Sequence, residues 1–190
     1  MKESTKKHIQ TFKKNAKVVL KNFFSITRKQ FIINLAIISL TFIIFVTIDQ
    51  TTKSWAFSNY KGGLQYQNGF VGVRLAKNTG MFRSLGNGIG FAGVQTLTSL
   101  ISIIMFVFAL FSKNLIRTFA VALLFAGSMG NIIDRYSQPG HYVRDWIFTP
   151  WTKATSNGGT YNIADVEVMV GSGIMLIYII YLLIFDKEEN

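Results

Sequence analysis

Residues 31–48 read FIINLAIISLTFIIFVTI and contain no charged side chain. An α-helix rises about 1.5 Å per residue, so roughly 20 apolar residues cross the hydrocarbon core of a bilayer. Three further apolar blocks follow, and the third reaches this length only if Arg117 extends along the helix to the interface. The pattern predicts an α-helical integral membrane protein, a four-transmembrane-helix bundle with spans at 31–50, 89–111, 116–133 and 166–185.

The basic residues cluster beside these apolar blocks. Of the 20 Lys and Arg residues, nine precede residue 31, and Lys113 and Arg117 flank the turn between the second and third blocks. Cytoplasmic flanks of membrane helices retain Lys and Arg, so both regions are predicted to lie in the cytoplasm, together with residues 186–190. The two long connections then face outward. Anionic lipid and topology explain the net charge of +11, and no nucleic-acid partner is expected.

Two regions outside the spans have a distinct composition. Residues 1–30 form a basic cytoplasmic extension, which the sequence leaves open as an amphipathic helix on the inner membrane surface or a disordered tail. Residues 60–80 mix glycines with aromatic and β-branched positions such as Tyr66 and Val73, which predicts a small β-rich region on the outer side. Residues 31–185 form the membrane domain. The chain has no cysteine, which excludes disulfides and a thiolate nucleophile.

A set of polar residues, with one glycine among them, lies near the predicted outer ends of the helices or in the outer connections. Most ionisable residues of a membrane protein stay in water, so those that border apolar segments are the informative ones. An interfacial active site needs such convergence at one membrane depth, but four ordinary helix ends also produce it. The set consists of Asp49, Lys53, Asn78, Gly80, Asn131, Asp134, Arg135, Asp145, Asn162 and Asp165.

Each motif of this set has a plain structural interpretation beside the functional one. Asp49 and Lys53 are spaced i, i+4 and are suited to an ion pair on the first helix. Asn78 precedes a glycine, a combination typical of a turn. Asn162 followed by Asp165 is a typical helix N-terminus, with Asn162 as the N-cap. Taken singly, the motifs do not decide between structure and catalysis.

Taken together, Asp145 and Asp165 suggest a reaction. Two carboxylates in one partly dry site cannot both ionise cheaply, so one keeps its proton while the other stays charged. Such a pair supplies a general base for water and a general acid for a peptide bond. His141 is the only histidine outside the basic extension. A Ser-His-Asp triad and a zinc site are therefore not expected.

In their order along the chain, these motifs resemble those of the bacterial lipoprotein signal peptidases, also called signal peptidase II. The match covers most of residues 45–175. The matching residues are Asp49-Gln50 with Lys53, Asn78 with Gly80, Gly130-Asn131 with Asp134-Arg135, Gly140 with Val143 and Asp145, and Asn162 with Ala164-Asp165.

The resemblance implies a membrane-embedded aspartic endopeptidase that removes signal peptides from prolipoproteins by cutting before a diacylglyceryl-modified cysteine. It implies no cofactor, contact with membrane lipid and inhibition by the cyclic peptide globomycin. It implies a place in the bacterial cytoplasmic membrane, with both termini in the cytoplasm and the active site at the outer face. Asp145 and Asp165 would form the catalytic pair. The substrate-binding or supporting residues would be Asn78, Gly80, Asn131, Asp134, Arg135, Asn162, Asp49 and Lys53.

Two departures and two rival interpretations accompany this resemblance. The stretch from Arg135 to Asp145 is longer than usual in the family, and Glu167 is unexpected at the start of a membrane helix, where we expect it to face the bundle or the headgroups. The rivals are a small multi-pass transporter and a non-catalytic membrane scaffold. A transporter predicts ionisable residues through the depth of the membrane, and the sequence has almost none between the outer set and the basic inner flanks.

Overall fold

Among the described residues, long helices and one small antiparallel sheet form the architecture. The computed structural model describes residues 11–18, 21, 24–61, 63–67, 70–79, 90–151 and 159–185. Residues 11–18, within the basic extension, are helical. The predicted site residue Gly80 and the tail 186–190 lie outside the described residues. The remaining elements are α1 (Arg28–Asn59), β1 (Gly63–Gln67), β2 (Gly72–Asn78), α2 (Gly90–Leu110), α3 (Leu115–Ser137), β3 (Val143–Thr149), β4 (Gly159–Tyr161) and α4 (Ile163–Phe185).

Three of the described helices, α1, α3 and α4, are long and apolar enough to cross a membrane. Within α2, the described apolar helix is shorter, Thr96–Leu110. Large apolar side chains project outward from these helices, such as Ile104 at 66% and Ile177 at 70% exposure. Water solvates such continuous apolar surfaces poorly, whereas lipid tails do not penalise them. A helical membrane protein with a small antiparallel sheet is therefore confirmed, and the count of four spans stays a prediction.

Three helices extend beyond their predicted spans at the end that carries the sheet. α1 continues to Asn59 instead of residue 50, and α3 continues to Ser137 instead of residue 133. α4 begins at Ile163 instead of residue 166. The ends of the predicted spans were set only by where each run of apolar residues stops. The helices continue because the polar residues at these ends find partners on neighbouring elements, which compensates their burial.

Small residues let α3 and α4 approach closely. A β-carbon at Gly127 would overlap the carbonyl oxygen of Ala164, and one at Gly171 would lie 2.7 Å from the carbonyl oxygen of Ala120. Such backbone approach is typical of small residues in membrane helix pairs. The seam between these helices brings the first turn of α4 beside the final turns of α3.

The strands form one sheet in the order β1-β2-β3-β4, with antiparallel neighbours. The prediction of strands within residues 60–80 covered β1 and β2, whereas β3 and β4 come from the connection between α3 and α4. In the β2–β3 ladder, Ala76 pairs with Asp145 and Asn78 pairs with Val143. This register brings Asn78 and Asp145 together at the ends of the helices.

At the end of the bundle away from the sheet, Asn34 of α1 ties three elements together. Its fully buried side chain donates to the carbonyl oxygens of Leu110 at 2.9 Å and Ser112 at 2.8 Å. The same side chain accepts from Gln30 at 2.9 Å and from the Thr118 hydroxyl at 3.2 Å. The last carbonyls of a helix lack partners within that helix, so Asn34 satisfies the end of α2.

We expect Asn34→Leu to lower the free energy of unfolding by about 1–3 kcal/mol, because it leaves buried carbonyl groups without donors. Thermal unfolding in detergent measures the loss. Asn59→Leu is the matched control, since Asn59 is exposed and donates within its own helix to Trp55 at 2.8 Å. An equal effect of the two substitutions would contradict this role for Asn34.

Candidate active site

Two aspartates from different elements are bridged by one asparagine. The Asn162 side chain donates to Asp145 Oδ1 at 2.7 Å, and the Asn162 backbone N–H donates to Asp165 Oδ2 at 3.1 Å. Asn78 of β2 donates to Asp145 Oδ2 at 3.1 Å, and Asn131 of α3 donates to Asp165 Oδ1 at 3.0 Å. Each carboxylate is thus held at both oxygens and joined to the other through Asn162.

The local sequence explains how Asp165 is held at the start of α4. The Asn162 side-chain oxygen accepts from the Asp165 backbone N–H at 3.0 Å, while the Asp165 carboxylate accepts from the Asn162 backbone N–H at 3.1 Å. This reciprocal pair is a capping box. The predicted capping role of Asn162 is therefore confirmed, and the same side chain also contacts Asp145. Helix capping and assembly of the candidate site use the same residues.

A buried ion-pair cluster supports this arrangement from α1. Lys53 Nζ lies 2.8 Å from Asp49 and 3.3 Å from Asp134, and all three side chains are fully buried. The predicted i, i+4 pair of Asp49 and Lys53 is thus present. Lys53 also donates to Asn131 Oδ1 at 3.1 Å, and Asn162 donates to the same oxygen at 3.1 Å. Because this oxygen is occupied, the Asn131 amino group points to Asp165.

Asp49 also contacts α4 and lies against α3. Its Oδ1 accepts from the backbone N–H of Ala164 at 3.0 Å. Gln50 donates to Asp49 Oδ2 at 3.0 Å and to the carbonyl oxygen of Gly130 at 2.9 Å. A β-carbon at Gly130 would lie 2.6 Å from Asp49 Oδ2. The glycine in this motif therefore makes room for the carboxylate between the helices.

One buried residue beside the site, Arg144, was not among the predicted site residues. Its guanidinium donates to Asp134 at 2.8 Å and to Gln50 at 2.8 Å. An arginine in an outer loop normally stays in water. A sequence signal was present, because basic residues on the outer side of a membrane have no topological purpose.

Two further charged residues lie inside the bundle. Arg135 is buried and interacts electrostatically with Asp165 and Asp145. Glu167 is 3% exposed, beside Gly127 in the α3–α4 seam, so it faces the bundle. Its carboxyl oxygens have no hydrogen-bond partner among the described residues. Among the residues that the structure describes, no cluster of three or more His, Asp or Glu side chains is arranged to hold a metal ion.

The environment of Asp145 changes its protonation. Burial and the nearby charge of Asp165 together raise the pKa of Asp145 to about 7, against the opposing hydrogen bonds from Asn78 and Asn162 and the charge of Lys53. A carboxyl that holds its proton up to neutral pH is able to act as a general acid. The site therefore has the electrostatic character of a carboxylate pair that shares one proton.

Comparison with known proteins places the chain in a family. Residues 41–181 match the family model of signal peptidase (SPase) II. The chain belongs to the signal peptidase II family. The lipoprotein signal peptidase of Borrelia duttonii (strain Ly) is 32% identical over 176 residues, covering 87% of this chain and 99% of the relative. That of Borreliella afzelii (strain PKo) is 30% identical over 160 residues, covering 80% and 91%.

Solved structures agree with this membership of the signal peptidase II family. A bacterial membrane enzyme solved by the in meso method at 2.3 Å resolution matches with a TM-score of 0.68 and 26% identity, covering 80% of this chain and 92% of that one. A second, solved at 1.9 Å resolution, matches with a TM-score of 0.60 and 27% identity, covering 75% and 91%. This family member is therefore a membrane peptidase.

Proposed function

We propose that this protein removes signal peptides from prolipoproteins by cleaving before a diacylglyceryl-modified cysteine, with Asp145 and Asp165 as the catalytic pair. The observation that carries the proposal is the bridge through Asn162, whose side chain and backbone hold one oxygen of each carboxylate. The two carboxylates come from a strand and a helix of a chain in the signal peptidase II family. An aspartic mechanism needs such a pair and no cofactor.

In this mechanism, Asp165 acts as the general base. It accepts hydrogen bonds at both oxygens and lies in the first turn of α4, where the helix dipole favours negative charge. Its carboxylate takes a proton from water, and the water oxygen attacks the scissile carbonyl. Asp145 donates its own proton to the oxyanion and takes it back as the tetrahedral intermediate collapses, while Asp165 passes the proton it took from water to the leaving amine.

The remaining predicted residues have supporting roles in this proposal. Asn78 and Asn131 orient the two carboxylates through the contacts described above, and Asn78, at the end of β2, faces the substrate. Arg135 supplies positive charge near the pair. The cluster of Lys53 and Asp49 stabilises the site from α1, with Asp134 in a structural role. Gly80 lies outside the described residues. It belongs to the proposed supporting residues because of its place in the motif with Asn78.

The proposal includes a membrane arrangement. Four spans cross the bacterial cytoplasmic membrane, with α2 as the fourth, both termini in the cytoplasm and the site at the outer face. The basic flanks of α1 and of the α2–α3 turn support this orientation. The lipid of the substrate stays among the helices, so enzyme and substrate meet by lateral diffusion. Inhibition by globomycin is part of the same proposal.

Cleavage of a lipidated precursor by the purified chain in detergent tests the proposed function. We expect mass spectrometry to show a cut directly before the diacylglyceryl-modified cysteine. The matched control is the same precursor with an unmodified cysteine, which should remain intact. If the lipidated precursor also remains intact, the proposed function is wrong and the transporter or scaffold interpretation returns.

We expect kcat/KM to fall as pH rises through about 7. Asp145 works in its protonated form, and its pKa is raised from 3.8 to about 7, so the proton is retained below that pH and lost above it. Initial rates across this range, with thermal unfolding measured at each pH as a control, give the profile. A rate that stays level well above neutral pH would contradict Asp145 as the proton donor.

A further inference from the structure

Arg144 immediately precedes Asp145 on β3, and its side chain is directed into the protein. It is 9% exposed. Its guanidinium contacts Asp134 Oδ1 through Nε at 3.1 Å and through Nη2 at 2.8 Å. The same group donates to Gln50 Oε1 at 2.8 Å and to the Ser54 hydroxyl at 3.2 Å. A strand residue is thus held by two helices, α1 and α3.

Asp134 holds the backbone of Arg144 as well as its side chain. The Arg144 backbone N–H donates to Asp134 Oδ2 at 2.8 Å. The Asp134 carboxylate therefore links the end of α3 directly to the start of β3. The next residue along the strand is Asp145. Asp134 itself is anchored by Lys53 at 3.3 Å. The contacts between Asp134 and Arg144 therefore connect β3 to the buried ion-pair cluster of Lys53, Asp49 and Asp134.

The β2–β3 ladder is regular on only one side of Asp145, where Lys77 lies opposite Arg144 and Asn78 opposite Val143. The β2–β3 register shifts between Val73 and Ala76, and Ala76 is the residue opposite Asp145. Such irregularities interrupt the ladder of backbone hydrogen bonds. Asp165, by contrast, is fixed by the capping box of α4. The distance between the two carboxylates therefore depends on the contacts that anchor β3 to the helices, as well as on Asn162, which donates to both.

We propose that Arg144 is a positioning residue that holds Asp145 at its working distance from Asp165 by anchoring β3 to α1 and α3. This inference rests on the proposed catalytic pair. A planar guanidinium meets three acceptors from two helices at once, which a lysine ammonium on a flexible stem does not reproduce. Misplacement of a reacting group by about 1 Å costs on the order of a hundredfold in rate.

Kinetics of Arg144→Met, Arg144→Lys and the control Lys77→Met test the inference on the full chain. Lys77 lies opposite Arg144 in the ladder but is exposed. We expect Arg144→Met to lower kcat by about thirtyfold to a hundredfold with little change in KM, and Arg144→Lys to recover part of the loss. The alkaline limb of the rate profile should move to lower pH, because a loosened Asp145 is better hydrated. Lys77→Met should change none of these values.

Hydrogen–deuterium exchange supplies a readout that does not depend on activity. In Arg144→Met, we expect faster amide exchange across β3, with exchange in α2 unchanged. A purely structural role predicts a lower melting temperature, unchanged kcat for the folded enzyme and an unshifted pH profile, and that result would overturn the inference. Unchanged exchange in β3 would overturn it too. If the wild type fails to cut the precursor, the proposed function fails, and the exchange experiment still decides whether Arg144 anchors β3.

Discussion

We expect Asp145→Asn and Asp165→Asn each to lower kcat for prolipoprotein cleavage by about a thousandfold or more, equivalent to roughly 4 kcal/mol of transition-state stabilisation. The amide is similar in size to the carboxyl group, but it neither takes a proton from water nor donates one as a carboxylic acid does. Asp165→Asn removes the general base, and Asp145→Asn removes the general acid. Initial rates at equal amounts of folded protein in detergent measure the effect.

Glu167→Gln is the matched control for the catalytic pair. Glu167 is a buried acid two residues from Asp165 on the same helix, and its carboxyl has no hydrogen-bond partner among the described residues. We expect its rate to stay within about threefold of wild type, because the side chain makes no hydrogen bond to either of the proposed catalytic carboxylates. If Asp145→Asn remains active while Asp134→Asn does not, Asp134 and not Asp145 is the partner of Asp165.

The second large effect is expected for Lys53→Met, which should lower the free energy of unfolding by about 3–5 kcal/mol. Lys53 is fully buried between two buried carboxylates, Asp49 at 2.8 Å and Asp134 at 3.3 Å. Methionine fills a similar volume but leaves Asp49 without its cation and Asp134 paired with Arg144 alone. It also frees the Asn131 amide to turn away from Asp165, so kcat should fall as well. Denaturant or thermal unfolding in detergent measures the stability term.

A double substitution separates the charge effect from loss of packing. In Lys53→Met with Asp49→Asn, the uncompensated charge of Asp49 is removed, so part of the stability should return relative to Lys53→Met alone. Lys77 is an exposed residue of β2, so Lys77→Met should change the free energy of unfolding very little. If Lys53→Met unfolds as the wild type does, the buried ion-pair cluster does not support the site as described.

Local sequence patterns were sufficient for several features of this protein. Three of the four apolar blocks correspond to described helices that are long and apolar enough to cross a membrane, because transfer into lipid depends on the composition of each segment alone. The i, i+4 spacing of Asp49 and Lys53 predicted their ion pair, and Asn162 with Asp165 predicted a helix cap, since both contacts form within one helix turn. The helix limits were less well predicted, because polar residues continue each helix where a distant partner exists.

Other features depend on contacts between residues far apart in the chain. The sheet includes β3 and β4, which had no strand prediction, because pairing with β2 decides their conformation. Asn131 presents its amino group to Asp165 only because Lys53 and Asn162 occupy its oxygen. Arg144 is buried only because Asp134 and Gln50 meet it from two helices.

The sequence by itself determined that this chain is a helical membrane protein and which aspartates and asparagines are available for chemistry. The tertiary structure decided how these side chains orient one another and which charges are compensated. The physical reason is that helix formation and membrane insertion depend on neighbours in sequence, whereas the direction of a hydrogen bond and the burial of a charge depend on partners brought close only by folding.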